Sequence, residues 1–585
     1  TNQFKVAGLN QNIVPDIILF VNGLPLAVIE CKSPFITNPM EAGINQLLRY
    51  CNNRKPEENE GAEKLFYYNQ ILVSTYNKQA RIGTISSRYE HYLEWKDVYP
   101  KNIENFKNNT SQEVLIEGVF NHKNFLDIIR NFTIFEVVEG KTIKKITRYQ
   151  QYRAVHKTIE KITKGKNKKE KGGVIWHTQG SGKSLTMVFL AQVIRRNEEL
   201  KKYKLLYITD RTQLDSQLTT TFQNTQDETV LQADSVKDLR ELISKDSSDL
   251  ITSTIQKFQE IRGENLKVLN ESEKIIVLID EAHRTQYGTF GMVLNTVLPN
   301  AAKIAFTGTP LLRSQLTTGE FGDYIDKYTI EQSVEDGATL QILYEGREVK
   351  TRVEGESLDN LFEEYFSDKT EEEKNEIKRK YGIEKAVLEA PKRIRWVCLD
   401  IIKHYREKIQ PNGFKAMIVT SSRHAAVLYK NMLDELNAPS SKVVISGDHN
   451  DPEELRKYTD SSEHKKIIKD FVEKDLSESK CHFIIVKDML LTGFDAPICQ
   501  VMYLDRKIMD HGLLQAIARV NRPKEGKQRG FVVDYYGLAS YLTSALDQFT
   551  QSDVEGVLKE LKDEIPKLDR AYNKVLEFFK DRDLE

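Results

Sequence analysis

Apolar residues fall in short runs separated by turn residues and charged stretches, and the runs sort into three β-rich blocks. Residues 1–100 carry "DIILFV", "LAVIECK" and "FYYNQILVSTY", broken by Asn, Gly and Pro, which predicts short strands joined by turns. Residues 141–330 alternate "GGVIWHT", "KLLYITD", "KIIVLID" and "AKIAFTGTP" with helical spacers, the pattern of a parallel sheet covered by helices. Residues 395–535 repeat it with "KAMIVTSS", "SKVVISG", "HFIIVKD", "QVMYLDR" and "GFVVDYY". Between these two blocks, "SDKTEEEKNEIKRKYGIEKAVLEA" predicts exposed helices, and 551–585 reads as amphipathic helix. The lysine-rich "KGKNKKEKGG" (164–173) reads as a solvated loop ahead of a strand. The fold class is therefore α/β.

A chain of 585 residues is long enough for several cores. Its formal net charge is -1, so any contact with nucleic acid must come from local basic patches and not from a global field. The cysteines, Cys31, Cys51, Cys398, Cys481 and Cys499, are scattered without metal-ligand spacing and read as reduced thiols of a cytoplasmic protein. No apolar run approaches the ~18 residues of a membrane span, and no signal-peptide pattern precedes the first strand. The chain opens on Thr1 without an initiator Met, and a fragment is expected.

Candidate chemistry starts at "HTQGSGKS", which follows an apolar strand and opens a helix. Gly180 and Gly182 let the loop of Thr178, Gln179 and Ser181 turn tightly, so that backbone N–H groups face a phosphate chain and the helix adds its positive end. Lys183 reaches the same phosphates, and the Ser184 hydroxyl can ligate Mg²⁺. His177 stands where the G-x-x-x-x-G-K-[ST] pattern has its first glycine. "KIIVLIDEAHRTQ" then places Asp280 and Glu281 at the end of a buried strand, where ligands bind in parallel sheets. Asp280 would hold Mg²⁺ and Glu281 would activate the attacking water. Loop first and acidic strand second predict an ATPase.

The N-terminal block suggests a second chemistry. "VPDIILFVNGLPLAVIECKSP" places Asp16 on one strand and Glu30 with Lys32 on the next, across an Asn-Gly turn. Two carboxylates can hold a divalent metal beside a scissile phosphate, with a lysine to orient water. Glu30 and Lys32 share a strand face. A strict two-residue Asn22-Gly23 loop would set Asp16 opposite Ile29, on the wrong face. A bulged three-residue turn ending on Gly23, pairing Asp16 with Val28, is therefore expected. E-x-K alone is weak, since Glu199-Leu200-Lys201 and Glu376-Ile377-Lys378 repeat it in helices. Here a helix follows, with Asn38 and Glu41 as a cap pattern, Pro39 in its first turn, and Gln46 and Tyr50 on one face.

Over about 400 residues the chain resembles the superfamily 2 helicases and translocases. Arg148 and Gln151 in "RYQQ" resemble the adenine-reading element, and "TDRTQLDSQ" (209–217) and "TSTIQKF" (252–258) resemble strand-contacting segments. "DEAH" (280–283) is the acidic motif, and "TGTP" (307–310) the coupling motif with Thr307 and Thr309. "LLTGFDAP" (490–497), with Gly493 and Asp495, resembles the segment touching DNA and the nucleotide cleft. "QAIARVNRP" (515–523) resembles the arginine-finger motif; Arg519 and Arg522 share one face if this segment is helical.

The N-terminal block resembles the PD-(D/E)xK nucleases, including their Q-x-x-x-Y helix, and "QARIGTISSRYEHYLEWK" (79–96) resembles the closing part of one subgroup. Nuclease, two motor lobes and helices follow in the order of the R subunits of type I restriction-modification enzymes. That resemblance implies a PD-(D/E)xK domain over 1–140, RecA-like lobes over 141–330 and 331–545, and the start of a helical domain over 546–585. It implies ATP and Mg²⁺ as cofactors, translocation of double-stranded DNA without strand separation, and cleavage away from the recognition site. Methyltransferase (M) and specificity (S) subunits are the implied partners, with no membrane. The family's upstream acidic residue, carried on an N-terminal helix, has no match here. Three rivals stand beside this reading. A free-standing helicase or repair motor would unwind DNA and not cut it. A non-catalytic assembly subunit would not need Glu281 and two finger arginines. A type III restriction subunit carries its nuclease after the motor.

Overall fold

In the computed structural model, the first strand pair turns at Asn22 and Gly23, whose φ values of 49° and 83° suit the two-residue hairpin turn that matches strand twist. The structure describes the chain apart from residues 9–10, 54–60, 106–109, 139–140, 210–229, 262–265, 281–286, 309–320, 348–357, 449, 492, 509, 539–557, 561–569, 571 and 573–585. Two compact units result, Thr1–Tyr328 and Thr329–Glu585.

The first unit begins with a four-stranded sheet in the order β1 (Ile17–Val21), β2 (Leu24–Lys32), β3 (Ile71–Tyr76), β4 (Gln79–Gly83). The two hairpins are antiparallel, while β2 and β3 are parallel. A parallel pair needs a crossover, and the helix Pro39–Tyr50 supplies it, burying Met40, Ile44 and Leu47 against Val28 and Leu72. Gly43 lets this helix lie close to β3: a Cβ there would stand 2.2 Å from Ser74 Oγ. Gly43→Ala is expected to destabilise the unit by about 1–3 kcal/mol through overpacking, read as a lower urea midpoint.

Alternate residues of the sheet face the other way. Ala27 and Val73 join Trp95, Phe132, Tyr152, Ile175 and Phe189 in one core that runs into the second sheet of the unit. Between the two sheets in chain order comes a hairpin, β5 (Thr133–Val138) and β6 (Lys141–Ile146). The second sheet is built of β7 (Gly173–His177), β8 (Lys204–Thr209), β9 (Val230–Gln232), β10 (Leu250–Thr254), β11 (Ile275–Ile279), β12 (Ala302–Thr307) and β13 (Tyr324–Tyr328). They lie in the order β13-β7-β12-β11-β8-β10-β9, all parallel. The apolar runs correspond to β7, β8, β11 and β12. The other three are short or carry Thr, Ser and Asp inside, which breaks the apolar run. Part of the lysine-rich stretch is not loop: Lys168–Lys171 forms a helical turn because the Asn167 side chain accepts from the Lys169 and Glu170 N–H groups.

The second unit holds a seven-stranded parallel sheet. Its strands are β14 (Ile342–Gly346), β15 (Lys415–Thr420), β16 (Ser441–Val444), β17 (Phe483–Val486), β18 (Cys499–Asp505), β19 (Gly530–Asp534) and β20 (Leu558–Glu560), in the order β16-β17-β15-β18-β19-β14-β20. The charged stretch forms helices as expected, over Glu371–Tyr381 and Ile383–Leu388. Thr370 and Glu373 cap the first of these reciprocally. Residues 558–560, expected as helix, instead add β20 to the open edge of β14, whose backbone groups need partners. Among the described residues no helix is long and apolar enough to cross a membrane.

A buried charge pair fixes this second core. Arg393 lies on the helix Pro391–His404 and donates to both oxygens of Asp505, at 2.8 and 2.6 Å, and Tyr429 Oη donates to Asp505 at 2.6 Å. Arg393→Leu leaves the carboxylate buried without its cation. An expected loss of about 3–5 kcal/mol would appear in the urea midpoint of the variant.

Candidate functional site

The carboxylate pair is assembled by a register shift. Val21 pairs with Leu24, so the turn is two-residue and not the three-residue turn expected; Asn-Gly satisfies it unaided. The extra residue instead sits in β2 at Leu26, where Leu19↔Ala27 gives way to Phe20↔Pro25. This bulge moves the register by one, Ile17 faces Ile29, and Asp16 comes opposite Glu30 instead of Val28. Asp16 Oδ2 is anchored there by the Cys31 N–H at 2.8 Å.

Glu30 is 1% exposed. Its Oε1 accepts from Lys32 Nζ at 2.9 Å and from Gln46 Nε2 at 2.5 Å. Lys32 also donates to Gln46 Oε1 at 2.6 Å, and Gln46 Nε2 lies 2.5 Å from Tyr50 Oη. Asp16, Glu30, Lys32, Gln46 and Tyr50 thus come together as expected. Asn38 does not cap by its side chain: it takes a left-handed conformation and turns its amide toward Glu41 at 3.4 Å. Burial pushes the Glu30 carboxyl up to about 7 against the pull of Lys32. Its Oε2 is buried without a hydrogen-bond partner among the described residues. A buried acceptor left unmatched beside a second carboxylate fits a divalent cation, which would supply the missing partner.

The phosphate loop leaves the parallel sheet at β7. Gly180 and Gly182 have φ values of 89° and 87°, open to glycine at little steric cost. Ser181 is fully buried and donates to the Thr178 carbonyl at 2.7 Å, which closes the turn. The helix Lys183–Arg196 follows, with Ser184 exposed at its first turn. Strand order places β12 between β7 and β11, so Thr307 at the end of β12 lies between the loop strand and the strand that precedes Asp280. Lys183 Nζ would lie 3.0 Å from a Cβ on Gly308, next to Thr307. This glycine-lined cradle with its lysine suits a nucleotide phosphate chain. Gln151 reaches the cradle through protein: its Oε1 accepts from the Arg148 N–H, and its Nε2 donates to the Gly182 carbonyl at 3.0 Å. Glu281, Thr309 and most of 209–217 lie outside the described residues.

In the second unit the helix Asp510–Ile517 ends before the finger arginines, so Arg519 and Arg522 do not share a helix face. Both fold instead onto the "LLTGFDAP" segment. Arg519 donates to the Phe494 carbonyl at 2.6 Å, and Arg522 pairs with Asp495 at 3.0 Å. Gly493 supplies the positive φ of 75° that this segment turns on. One group escaped the sequence reading. His177 bonds Asp326 in β13, and Arg153 and Lys157 converge on the same carboxylate. An Asp inside a strand of "YIDKY" and two cations four apart on a helix were the available signals.

Comparison with known proteins agrees with this layout. Three family models match the chain: the type I restriction enzyme R protein N terminus over 1–91, the SWI2/SNF2 ATPase over 150–375, and type I restriction enzyme subunit R domain 3 over 445–537. The HindI type I restriction enzyme endonuclease subunit of Haemophilus influenzae is 36% identical over 581 residues, 94% of this chain and 54% of that protein. A provisionally named MjaIXP type I endonuclease subunit from Methanocaldococcus jannaschii is 34% identical over 99% of this chain and 57% of its own length. The chain therefore spans about half the length of the curated relatives it matches. Among solved structures, the type ISP restriction-modification enzyme LlaBIII bound to DNA aligns with 91% of this chain and 35% of its own, at 14% identity and a TM-score of 0.49. The N-terminal carboxylate sheet, the phosphate-loop sheet and the second parallel lobe each fall within or beside one of the three family matches, and over nearly its whole length the chain is similar to the R (endonuclease) subunits of type I restriction enzymes.

Proposed function

We propose that this chain carries the nuclease and motor of an ATP-dependent restriction subunit that translocates double-stranded DNA and cuts it away from the recognition site. The observation that carries the reading is the buried Glu30 carboxylate, unmatched at Oε2 and opposite Asp16, in the same compact unit as the Lys183 phosphate loop. Asp16 and Glu30 would hold Mg²⁺, and the bound cation supplies charge neutralisation at the scissile phosphate. Lys32, which pairs with Glu30 at 2.9 Å, would orient the attacking water. Gln46 and Tyr50 hold Lys32 and Glu30 in place.

In the motor, backbone N–H groups of the loop from Thr178 to Gly182 and the Lys183 ammonium bind the triphosphate, and Ser184 and Asp280 would hold its Mg²⁺. Glu281 activates water. Thr307 and Thr309 link turnover to movement. Gly493, Asp495, Arg519 and Arg522 are assigned to nucleotide sensing by the second lobe, with Arg148 and Gln151 at the adenine side. Methyltransferase and specificity subunits supply sequence recognition. The test is ATP turnover and DNA cleavage by the full-length protein alone, with duplex DNA, and with DNA plus that complex. Turnover and cutting only with the complex on an unmethylated site are expected. Turnover on any bare duplex with strand separation and no cutting would replace this reading with a free-standing helicase.

A further inference from the structure

Asp326 is a fully buried carboxylate that takes bonds from three residues. Arg153 Nε reaches its Oδ1 at 2.7 Å and Arg153 Nη2 its Oδ2 at 3.0 Å. Lys157 Nζ reaches Oδ1 at 2.9 Å, and His177 Nε2 lies 2.9 Å from Oδ2. Burial alone would raise this carboxyl, but His177 and Arg153 hold it well below the usual carboxylate range. Arg153 has a third bond, from Nη1 to Asp97 Oδ2 at 2.7 Å. Asp97 follows the N-terminal sheet in the chain and is itself fixed. Its Oδ1 accepts from the Tyr99 N–H at 3.0 Å, and its carbonyl accepts from the Trp95 indole at 2.7 Å. Burial holds His177 below its ordinary pKa against the opposing pull of Asp326.

These bonds meet the phosphate loop at both ends. His177 immediately precedes the loop; its carbonyl lies 3.3 Å from Lys183 Nζ, and the next residue, Thr178, donates its N–H to Tyr328 at 3.0 Å. At the far end, Gln151 holds the Gly182 carbonyl. Gln151 and Arg153 belong to one helix, Tyr149–Lys164. One helix therefore grips the loop before and after its turn. Glycine at position 177 would lack one of the two grips.

We propose that Asp97, Arg153, Asp326 and His177 form a positioning chain through which the segment closing the N-terminal sheet sets the phosphate loop, so that nucleotide affinity depends on Asp97. The inference rests on the loop's being a nucleotide site. Neither Asp97 nor Asp326 needs to touch the nucleotide; each acts through the residue it holds. Asp97 is the informative position because it belongs to the nuclease side and bonds no residue of the loop. Through it, a change in the N-terminal sheet reaches the motor.

The experiment is titration of the full-length protein with a fluorescent ATP analogue and Mg²⁺, in a double-mutant cycle of Asp97→Asn and His177→Gly. Asparagine keeps an oxygen for the Tyr99 N–H but sets an amide N–H₂ against Arg153. Asp97→Asn is expected to raise the Kd about five- to tenfold, and the same change in the His177→Gly background much less, since the chain is already cut. Arg153→Lys keeps the positive charge but cannot span both carboxylates, and is expected to raise the Kd similarly. An Asp97→Asn variant with wild-type affinity, or effects of the two substitutions that simply add, would overturn the proposal. Lys183→Ala separates the two layers of inference. If the wild type binds the analogue and Lys183→Ala does not, the nucleotide site stands and the cycle decides the chain. If the wild type binds none, both fall.

Discussion

Glu30→Gln is expected to lower Mg²⁺-dependent DNA cleavage by about 10³-fold or more while leaving ATP turnover within about twofold. Glutamine keeps an Oε1 that accepts from Lys32 and Gln46, so the polar network around it survives. It removes the charge a cation needs. The same substitution should not weaken the fold. A carboxyl whose folded pKa is about 7, above the ordinary ~4.3, contributes stability that is complete at low pH and is lost as pH rises through about 7. Burial is the main cause, so at pH 8 glutamine relieves a buried charge. The melting temperature of Glu30→Gln should then equal or exceed that of the wild type in the absence of metal. Addition of Mg²⁺ should raise the wild-type value and leave the variant unmoved. A variant that melts early, or that still cuts, would remove Glu30 from the metal site.

Lys183→Ala is the second large effect, with the opposite selectivity. Loss of the ammonium beside Gly308 removes a cation from the developing phosphate charge, and ATP turnover should fall by about 10²- to 10³-fold. Lys183 is buried on the loop helix, and its ammonium donates to the His177 carbonyl at 3.3 Å. Cleavage that requires translocation should disappear with turnover, whereas metal binding at Glu30 should persist. Steady-state ATP hydrolysis and the Mg²⁺-induced melting shift, measured on one preparation, read the two centres separately. Together the two substitutions distinguish a nuclease driven by a motor from a motor carrying an inert N-terminal sheet.

Much of the candidate site was legible because its chemistry is local. The phosphate loop needs glycines, a lysine and a hydroxyl within a few residues, and "GSGKS" shows them consecutively. Gln46 and Tyr50 lie four apart on one helix, and Glu30 and Lys32 two apart on one strand, so periodicity alone sets each pair on a common face. The strands found from sequence were those with unbroken apolar runs, such as "KIIVLID" and "HFIIVKD". β13 escaped because Asp326 interrupts its run, and what makes an aspartate acceptable there is a set of cations from a helix more than 160 residues earlier in the chain. The finger arginines were identified from sequence, but their placement was not. Spacing of three suggested a helix, but the helix stops at Ile517 and the side chains are held by Phe494 and Asp495 instead.

The sequence by itself determined which residues are the candidates for the chemistry and the order of the sheets, since apolar periodicity and short-range motif spacing depend only on neighbours along the chain. Tertiary structure alone decided how distant residues meet. Whether Asp16 shares a face with Glu30 depended on one extra residue in β2, and a shift of one reverses every side chain of a strand. Whether Asp97 could bear on the phosphate loop depended on Arg153 spanning a buried and a half-buried carboxylate from separate segments. Both are long-range pairings, whose energy comes from burial and charge neutralisation that exist only once the chain has closed on itself.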